Sequence, residues 1–163
     1  MIYGVIILLL ASADLVLKQL VERQEPERFP RPLEGTNGKI LLYQNHNPGF
    51  PFGLFKKYGE LVRMLPLAVT SALAGALAAL AAGKEHIVRK LALATVIGGS
   101  LSNLYDRFVR RYVVDYFSVQ IGPLKKVVFN LGDICVFLGS VVLILAELVR
   151  EIRDNRRSDR KKM

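Results

Sequence analysis

Two aspartates in the second half of the chain have the types and surroundings of an acid–base pair. Asp115 and Asp133 lie within the stretch YVVDYFSVQIGPLKKVVFNLGD, and Asp133 stands at the entry of a long apolar run. A carboxylate at the edge of a bilayer is energetically unfavourable, so two of them beside one apolar segment predict a functional site. Two neighbouring carboxylates cannot both ionise easily, so one keeps a proton while the other acts as a base. Such a pair can activate a water and polarise a peptide carbonyl.

Each of the two carboxylates also has a purely structural interpretation. Asp115 could be an ordinary loop residue. Asp133 could be an anion in the first turn of a helix, where the helix dipole favours negative charge.

A second polar pair lies inside the first apolar run. Asp14 and Lys18 are four residues apart and therefore share one face of a helix. Either charge alone would destabilise a helix in the bilayer by several kcal/mol, so the spacing predicts an ion pair. We interpret it as a structural pair that orders a helix bundle, in preference to a direct catalytic role.

Further polar residues cluster at three places. The end of the third apolar run, GGSLSNLYDR, places Asn103, Asp106 and Arg107 on one helix edge, which predicts a polar network. The segment NHNPGFPFG, which contains Asn47, could hold an extended peptide or form no more than an Asx turn. Asn130 could similarly be only the N-cap of the last helix.

Other hydrolytic chemistries have weaker support. The two histidines, His46 and His86, are not part of an HExxH pattern, so no metal site is predicted. A serine mechanism at Ser100 or Ser102 would have only the distant Lys18 as a base. The single cysteine, Cys135, is interpreted as an apolar filler, and the sequence predicts no cofactor.

The elements that must position these residues are apolar runs of membrane-spanning length. The chain has 163 residues, of which 52% are apolar, and they are bunched rather than spread periodically. A helix needs about 20 residues to cross about 30 Å of hydrocarbon. The fold class predicted is an all-α polytopic membrane protein, a single membrane-embedded domain over residues 1–163 with four transmembrane helices. Their predicted bounds are Ile2–Leu20, Leu61–Ala82, Val88–Tyr105 and Leu131–Val149.

Charge predicts the orientation of these helices. The formal net charge is +9, and seven basic residues crowd into the segment 150–163 after the last helix. With the C-terminus inside, ten basic residues lie in two short cytoplasmic segments, and twelve lie on the outer side, diluted over longer loops and the adjoining helix end. We therefore expect both termini in the cytoplasm. The basic tail would meet anionic lipid rather than nucleic acid, and its charge density favours disorder.

The outer loops, residues 22–60 and 107–127, each contain a segment with strand character. These are KILLYQ in the first loop and RYVVDYFSVQI in the second, which is closed by Gly122 and Pro123. A small extracytoplasmic sheet built from both loops is therefore predicted.

At these residues the chain resembles the lipoprotein signal peptidase family, also called signal peptidase II, over nearly its whole length. Four blocks recur in order. The first is the D-x-x-x-K of Asp14 and Lys18, and the second is an N-x-G-x-x-F at Asn47, Gly49 and Phe52. In the third, Gly98, Gly99, Asn103, Asp106 and Arg107 match the family's G-G-x-x-G-N-x-x-D-R, and the last comprises VVDYF and FNLGD.

The resemblance implies an aspartic endopeptidase of the bacterial cytoplasmic membrane with four helices and an extracytoplasmic β-cradle. It would act as a monomer, without a metal or other cofactor, near the outer face of the membrane. Its substrate would be a lipid-modified prolipoprotein, cut just before the diacylglyceryl-bearing cysteine. The implied site has three groups: catalytic Asp115 and Asp133; substrate-binding Asn47, Asn103, Arg107 and Asn130; and a structural polar network of Asp14, Lys18 and Asp106.

The chain departs from the family pattern at four positions. Ser102 replaces a glycine, Gly132 replaces an alanine, and Phe50 and Pro51 replace small residues. None of these changes removes a carboxylate. A second hypothesis stays open from the residues alone: a non-catalytic membrane carrier or lipoprotein-binding module whose acidic pair binds protons or a cation.

Overall fold

The fold was obtained as a computed structural model, which describes residues 1–49, 57–83 and 86–162. Phe50, Pro51 and Phe52, and with them the part of the second sequence block that they form, lie outside the described residues, as does Lys84 among the cytoplasmic charges.

Four long helices form at the four apolar runs. They are α1 (Ile2–Glu22), α2 (Gly59–Ala81), α3 (Ile87–Tyr105) and α4 (Leu131–Lys162). The predicted bounds agree to within two residues at every end except the last, because a run of apolar side chains is a strong helix signal in this composition. The predicted end of the fourth helix is Val149, whereas α4 continues to Lys162.

Three of the helices, among the residues that the structure describes, are long and apolar enough to cross a membrane. They are α1, α2 and the part of α4 up to Arg153. Helix α3 is different, because it packs against each of the other three helices and carries buried polar residues such as Lys90, Ser102 and Asn103. More of its surface is therefore in contact with protein than is the case for the other three helices.

Small residues let these helices approach closely. A Cβ added to Gly132 in α4 would lie 2.8 Å from the backbone oxygen of Gly99 in α3. A Cβ added to Gly98 would lie 3.0 Å from the Cβ of Leu10 in α1. Close backbone approach of this kind is the usual basis of helix association in lipid, where burial of apolar area gives little driving force.

Three strands in the segments between the helices form a small sheet. Strands β1 (Arg31–Pro32), β2 (Ile40–Asn47) and β3 (Val113–Val119) pair antiparallel in the order β1-β2-β3. The first two strands come from the first of the two predicted loops and the third from the second, so the predicted sheet built from both loops is confirmed. Its register places Asn45 opposite Asp115 and Asn47 opposite Val113. This pairing brings the two loops together beside the first turn of α4.

Candidate active site

Asp115 and Asp133 are brought to one cavity by the sheet and by the start of α4. Asp115 lies in β3 and is 4% exposed, and Asp133 lies in the first turn of α4. Both carboxylates line a cavity of about 1100 Å³. Their separation of 18 positions in the sequence therefore does not keep them apart in the fold.

Asn130 connects the two aspartates directly. Its side-chain amide donates to Oδ1 of Asp115 at 2.8 Å. Its side-chain oxygen accepts from the backbone N–H of Asp133 at 2.8 Å, and its own backbone N–H donates to Oδ2 of Asp133 at 3.2 Å. This reciprocal pair has the geometry of a capping box. Asn130 is thus the helix N-cap that the sequence allowed, and its side chain also binds the carboxylate of Asp115.

Two further amides complete the hydrogen bonds to the pair. Asn47 donates to Oδ2 of Asp115 at 3.2 Å, and Asn103 donates to Oδ1 of Asp133 at 3.0 Å. The oxygen of Asn47 accepts from the backbone N–H of Gly49 at 3.0 Å, so the Asx turn considered as an alternative is present as well. Each carboxylate therefore accepts hydrogen bonds on both of its oxygens.

The electrostatic surroundings of Asp115 raise the pKa of its carboxyl. Burial is the largest cause, and with the negative charge of Asp133 it raises the pKa of Asp115 from 3.8 to about 7. The amides of Asn47 and Asn130 act in the opposite direction because they stabilise the ionised form. At neutral pH this carboxyl is consequently poised between its protonated and ionised states.

Arg107 lies on the same cavity wall and is 9% exposed. Its guanidinium donates to the backbone oxygen of Gly49 at 3.2 Å and to that of Asn103 at 3.4 Å. It therefore ties the turn after β2 to the end of α3 and places a positive charge beside the two carboxylates.

Asp106 does not face the cavity with Asn103 and Arg107. At this point α3 gives way to a π-helical turn, Asp106–Arg110, and Asp106 points toward the bundle interior. Its Oδ2 lies 3.0 Å from Nζ of Lys18, and its Oδ1 accepts from Arg110 at 2.7 Å. The three polar residues are thus divided between two environments.

Lys18 joins those two environments. Its Nζ lies 2.8 Å from Oδ2 of Asp14, which is the predicted pair, and donates to the side-chain oxygen of Asn103 at 2.7 Å. Lys18, Asp14 and Asp106 are fully buried. A buried charge requires such partners, and through Asn103 this network reaches Asp133.

Two hydroxyl groups in this region were not predicted as site residues. Tyr116 follows Asp115 in β3 and donates to Oδ1 of Asp14 at 3.0 Å. Ser102 donates to Oδ2 of Asp14 at 2.5 Å and is fully buried, which does not fit the nucleophile considered from the sequence. Two features of the sequence could have indicated them. Tyr116 carries a hydroxyl next to Asp115, and Ser102 stands where the family pattern has a glycine.

The remaining cavity wall is mostly apolar. It includes residues of β3, of the segment before α4 and of α4 itself: Phe117, Val127, Phe129, Ile134, Phe137 and Leu138. A cavity with two carboxylates at one point and apolar walls elsewhere suits an amphipathic ligand.

The described residues thus combine three helices apolar enough to cross a membrane with a buried acidic pair that lines a largely apolar cavity. Two solved structures described as bacterial membrane enzymes, determined by the in meso method at 2.3 and 1.9 Å resolution, share this fold. Their TM-scores are 0.73 and 0.71 at 19% and 20% identity, and the matches cover 90% of this chain in both cases and 87% and 92% of theirs.

Residues 6–149 match the family described as Peptidase_A8, signal peptidase (SPase) II, and the chain belongs to that family. Among similar proteins, the lipoprotein signal peptidase of Mesorhizobium japonicum is 28% identical, over 90% of this chain and 85% of its own length. That of Francisella tularensis subsp. mediasiatica is 30% identical, over 90% and 91%. The family and the apolar helices together indicate a bacterial membrane protein and a protease of lipoprotein processing.

Proposed function

We propose that this chain is an aspartic endopeptidase that removes the signal peptide from diacylglyceryl-modified prolipoproteins, cutting just before the lipidated cysteine. The observation that carries the proposal is the bridge from Asn130 to both Asp115 and Asp133 in one cavity. The names of the similar proteins support the choice of substrate.

In the proposed reaction the ionised Asp133 takes a proton from a water, which attacks the scissile carbonyl. Asp115, whose pKa of about 7 lets it hold a proton at neutral pH, donates to the carbonyl oxygen. Asp133 then passes its proton to the leaving amine as the C–N bond breaks, and Asp115 regains its own from the collapsing intermediate. Asn47 and Asn130 hold Asp115, while Asn103 holds Asp133.

The apolar wall of the cavity would receive the diacylglyceryl group. Burial of acyl chains contributes about 0.8 kcal/mol per methylene, so lipid contacts can hold the substrate without extensive contacts to its sequence. Arg107, on the same wall, would bind a backbone carbonyl or lipid oxygen of the substrate. All four long helices would cross the membrane in a monomer, with both termini cytoplasmic and the dyad near the outer face.

The test is a direct assay of the purified protein in lipid with a diacylglyceryl-modified prolipoprotein. We expect cleavage by the parent protein and a loss of about 10²- to 10⁴-fold in Asp115→Asn and in Asp133→Asn. Glu27→Gln, on the exposed segment after α1, is a matched carboxylate-to-amide control that should cleave at the parent rate. Parent-like turnover by either aspartate variant would remove the dyad mechanism, and an inactive parent would favour the carrier or lipoprotein-binding alternative.

A further inference from the structure

One oxygen of Asp14 contacts both of the elements that carry the candidate dyad. Oδ1 accepts from the hydroxyl of Tyr116 at 3.0 Å and from the backbone N–H of Leu131 at 3.0 Å. The same Leu131 N–H lies 2.9 Å from the Tyr116 oxygen, which closes a triangle. Tyr116 is the residue after Asp115, and Leu131 is the first residue of α4. The triangle therefore joins β3 to the N-terminus of α4.

The other oxygen of Asp14 is held from α1 and α3. Oδ2 accepts from the hydroxyl of Ser102 at 2.5 Å and lies 2.8 Å from Nζ of Lys18. Asp14, Lys18 and Ser102 are fully buried, so water does not compete for these contacts. With both oxygens occupied, the orientation of the Asp14 carboxylate is determined by donors from four elements.

Gly132 provides the space in which the Ser102 hydroxyl lies. A Cβ at position 132 would be 2.8 Å from Oγ of Ser102, well inside normal contact distance. The two departures from the family pattern, serine at 102 and glycine at 132, thus face each other, and the smaller residue accommodates the larger one.

We propose that Tyr116 and Ser102 are positioning residues, whose hydroxyls hold Asp14 so that it fixes the spacing of Asp115 and Asp133. This inference rests on the proposed function. The four residues Asp14, Ser102, Tyr116 and Leu131 are called the Asp14 bracket below.

The bracket acts through position and not through contact with substrate. Asp14, Ser102 and Tyr116 are buried behind the cavity wall that Asp115 and Asp133 line. Small displacements of catalytic groups by residues outside the reacting centre lower the rate strongly, because the reacting atoms leave their productive geometry. Loosening the bracket should accordingly reduce kcat and leave substrate binding nearly unchanged.

The test uses Tyr116→Phe and Ser102→Ala, which remove one hydroxyl each and keep the remaining side-chain volume. We expect kcat to fall by about tenfold or more in each variant, since misplacement slows the chemical step. KM should change by less than about twofold, because uniform binding of the substrate is kept. Tyr105→Phe and Thr95→Val are the controls and should have the parent kcat. Both lie in α3, where the Tyr105 side chain is 47% exposed and the Thr95 hydroxyl donates to Leu91 of its own helix.

A pH profile separates positioning from a plain loss of folded protein. The charge of Asp133 is one cause of the raised pKa of Asp115, and the charge of Lys18 opposes it. If the two carboxylates move apart or water enters, both the repulsion from Asp133 and the burial of Asp115 weaken, and the pKa of Asp115 falls. The alkaline limb of kcat/KM should therefore move to lower pH in both variants. A variant with less folded enzyme would scale the profile without moving it.

Parent-like kcat and an unmoved alkaline limb in the two variants would overturn the bracket. Inactive Asp115→Asn and Asp133→Asn in the same assay would then leave the proposed function standing, whereas an inactive parent protein would end the proposed function itself. Thermal unfolding in detergent identifies a misfolded variant. Should Tyr116→Phe not fold, Ser102→Ala decides the result, because Lys18 still neutralises the same oxygen of Asp14.

Discussion

Oδ1 of Asp115 accepts a hydrogen bond from the side-chain amide of Asn130, 2.8 Å away, although the two residues belong to different elements. The same asparagine begins α4 by capping the backbone N–H of Asp133. One side chain therefore sets both where the helix starts and where the neighbouring strand presents its carboxylate.

Asn130→Ser should separate these two roles. A serine still accepts from the N–H of Asp133 as an N-cap, so the melting temperature should stay near that of the parent protein. It lacks the amide nitrogen that donates to Asp115, so we expect kcat to fall by about tenfold or more. Asn130→Ala should lose the same activity and a further ~1 kcal/mol of stability, because the cap is gone. Full activity of Asn130→Ser would contradict the bridge as a catalytic feature.

The raised pKa of Asp115 predicts the pH dependence of activity. If this carboxyl donates its proton to the substrate, activity should decrease as the pH rises through about 7. The measurement is kcat/KM in lipid of fixed composition, from about pH 5 to about pH 9. This range of about 4 units is enough to include a single ionisation near 7. A profile that is flat across this range would contradict the assignment of the proton to Asp115.

The same pKa predicts how stability depends on pH. The folded value of about 7 lies above the ordinary 3.8, so between these values the folded protein binds more protons than the unfolded chain. This group's favourable contribution is complete below the lower value and is lost as the pH rises toward the upper one. Asp115→Asn does not ionise, so its melting temperature relative to the parent should improve steadily over that interval. A constant difference would mean that Asp115 is ionised throughout.

Gly132→Ala tests the close contact between α3 and α4. The added methyl would lie 2.8 Å from Gly99 O and 3.0 Å from Oδ1 of Asn130, as well as against Ser102. We expect a destabilisation of about 1–3 kcal/mol, because an overpacked site must displace its neighbours. Gly75→Ala in α2, where nothing lies within 4 Å, is the control and should be neutral or slightly stabilising. Equal melting temperatures for the two variants would contradict the tight contact.

Lys18→Met should be strongly destabilising. It leaves the buried carboxylates of Asp14 and Asp106 without the ammonium that they share. Loss of one partner of a buried ion pair destabilises by about 3–5 kcal/mol. Lys125→Met, at an exposed position after β3, is the matched control and should unfold like the parent protein. Thermal unfolding of both variants in the same detergent provides the comparison.

Much of the fold follows from local patterns in the sequence. The apolar runs predict the helices, and the β-branched and aromatic segments predict the sheet. The spacing of Asp14 and Lys18 predicts their ion pair because i,i+4 neighbours meet within one helix. The short strand Arg31–Pro32 was not foreseen, since two residues in a charged, proline-rich segment carry no strand pattern.

The site was predictable in its members but not in its connections. Helical spacing places Asp106 beside Asn103, and both contact Lys18, but only Asn103 lines the cavity. The contacts of Tyr116 with Asp14 and Leu131 join residues that are 102 and 15 positions apart. Only the packing of β3 between α1 and the start of α4 creates them, and no local pattern reports such packing.

The sheltered position of α3 has a consequence for how the protein is made. Part of the protein surface that buries Asn103 and Ser102 belongs to α4, which is synthesised after α3. These polar residues of α3 are therefore uncovered until α4 has been made. Alone, such a segment partitions poorly into lipid, since buried-type polar residues lower the tendency to leave the translocon. If α3 crosses the membrane as proposed, its insertion should therefore depend on the more apolar α2, with which it packs.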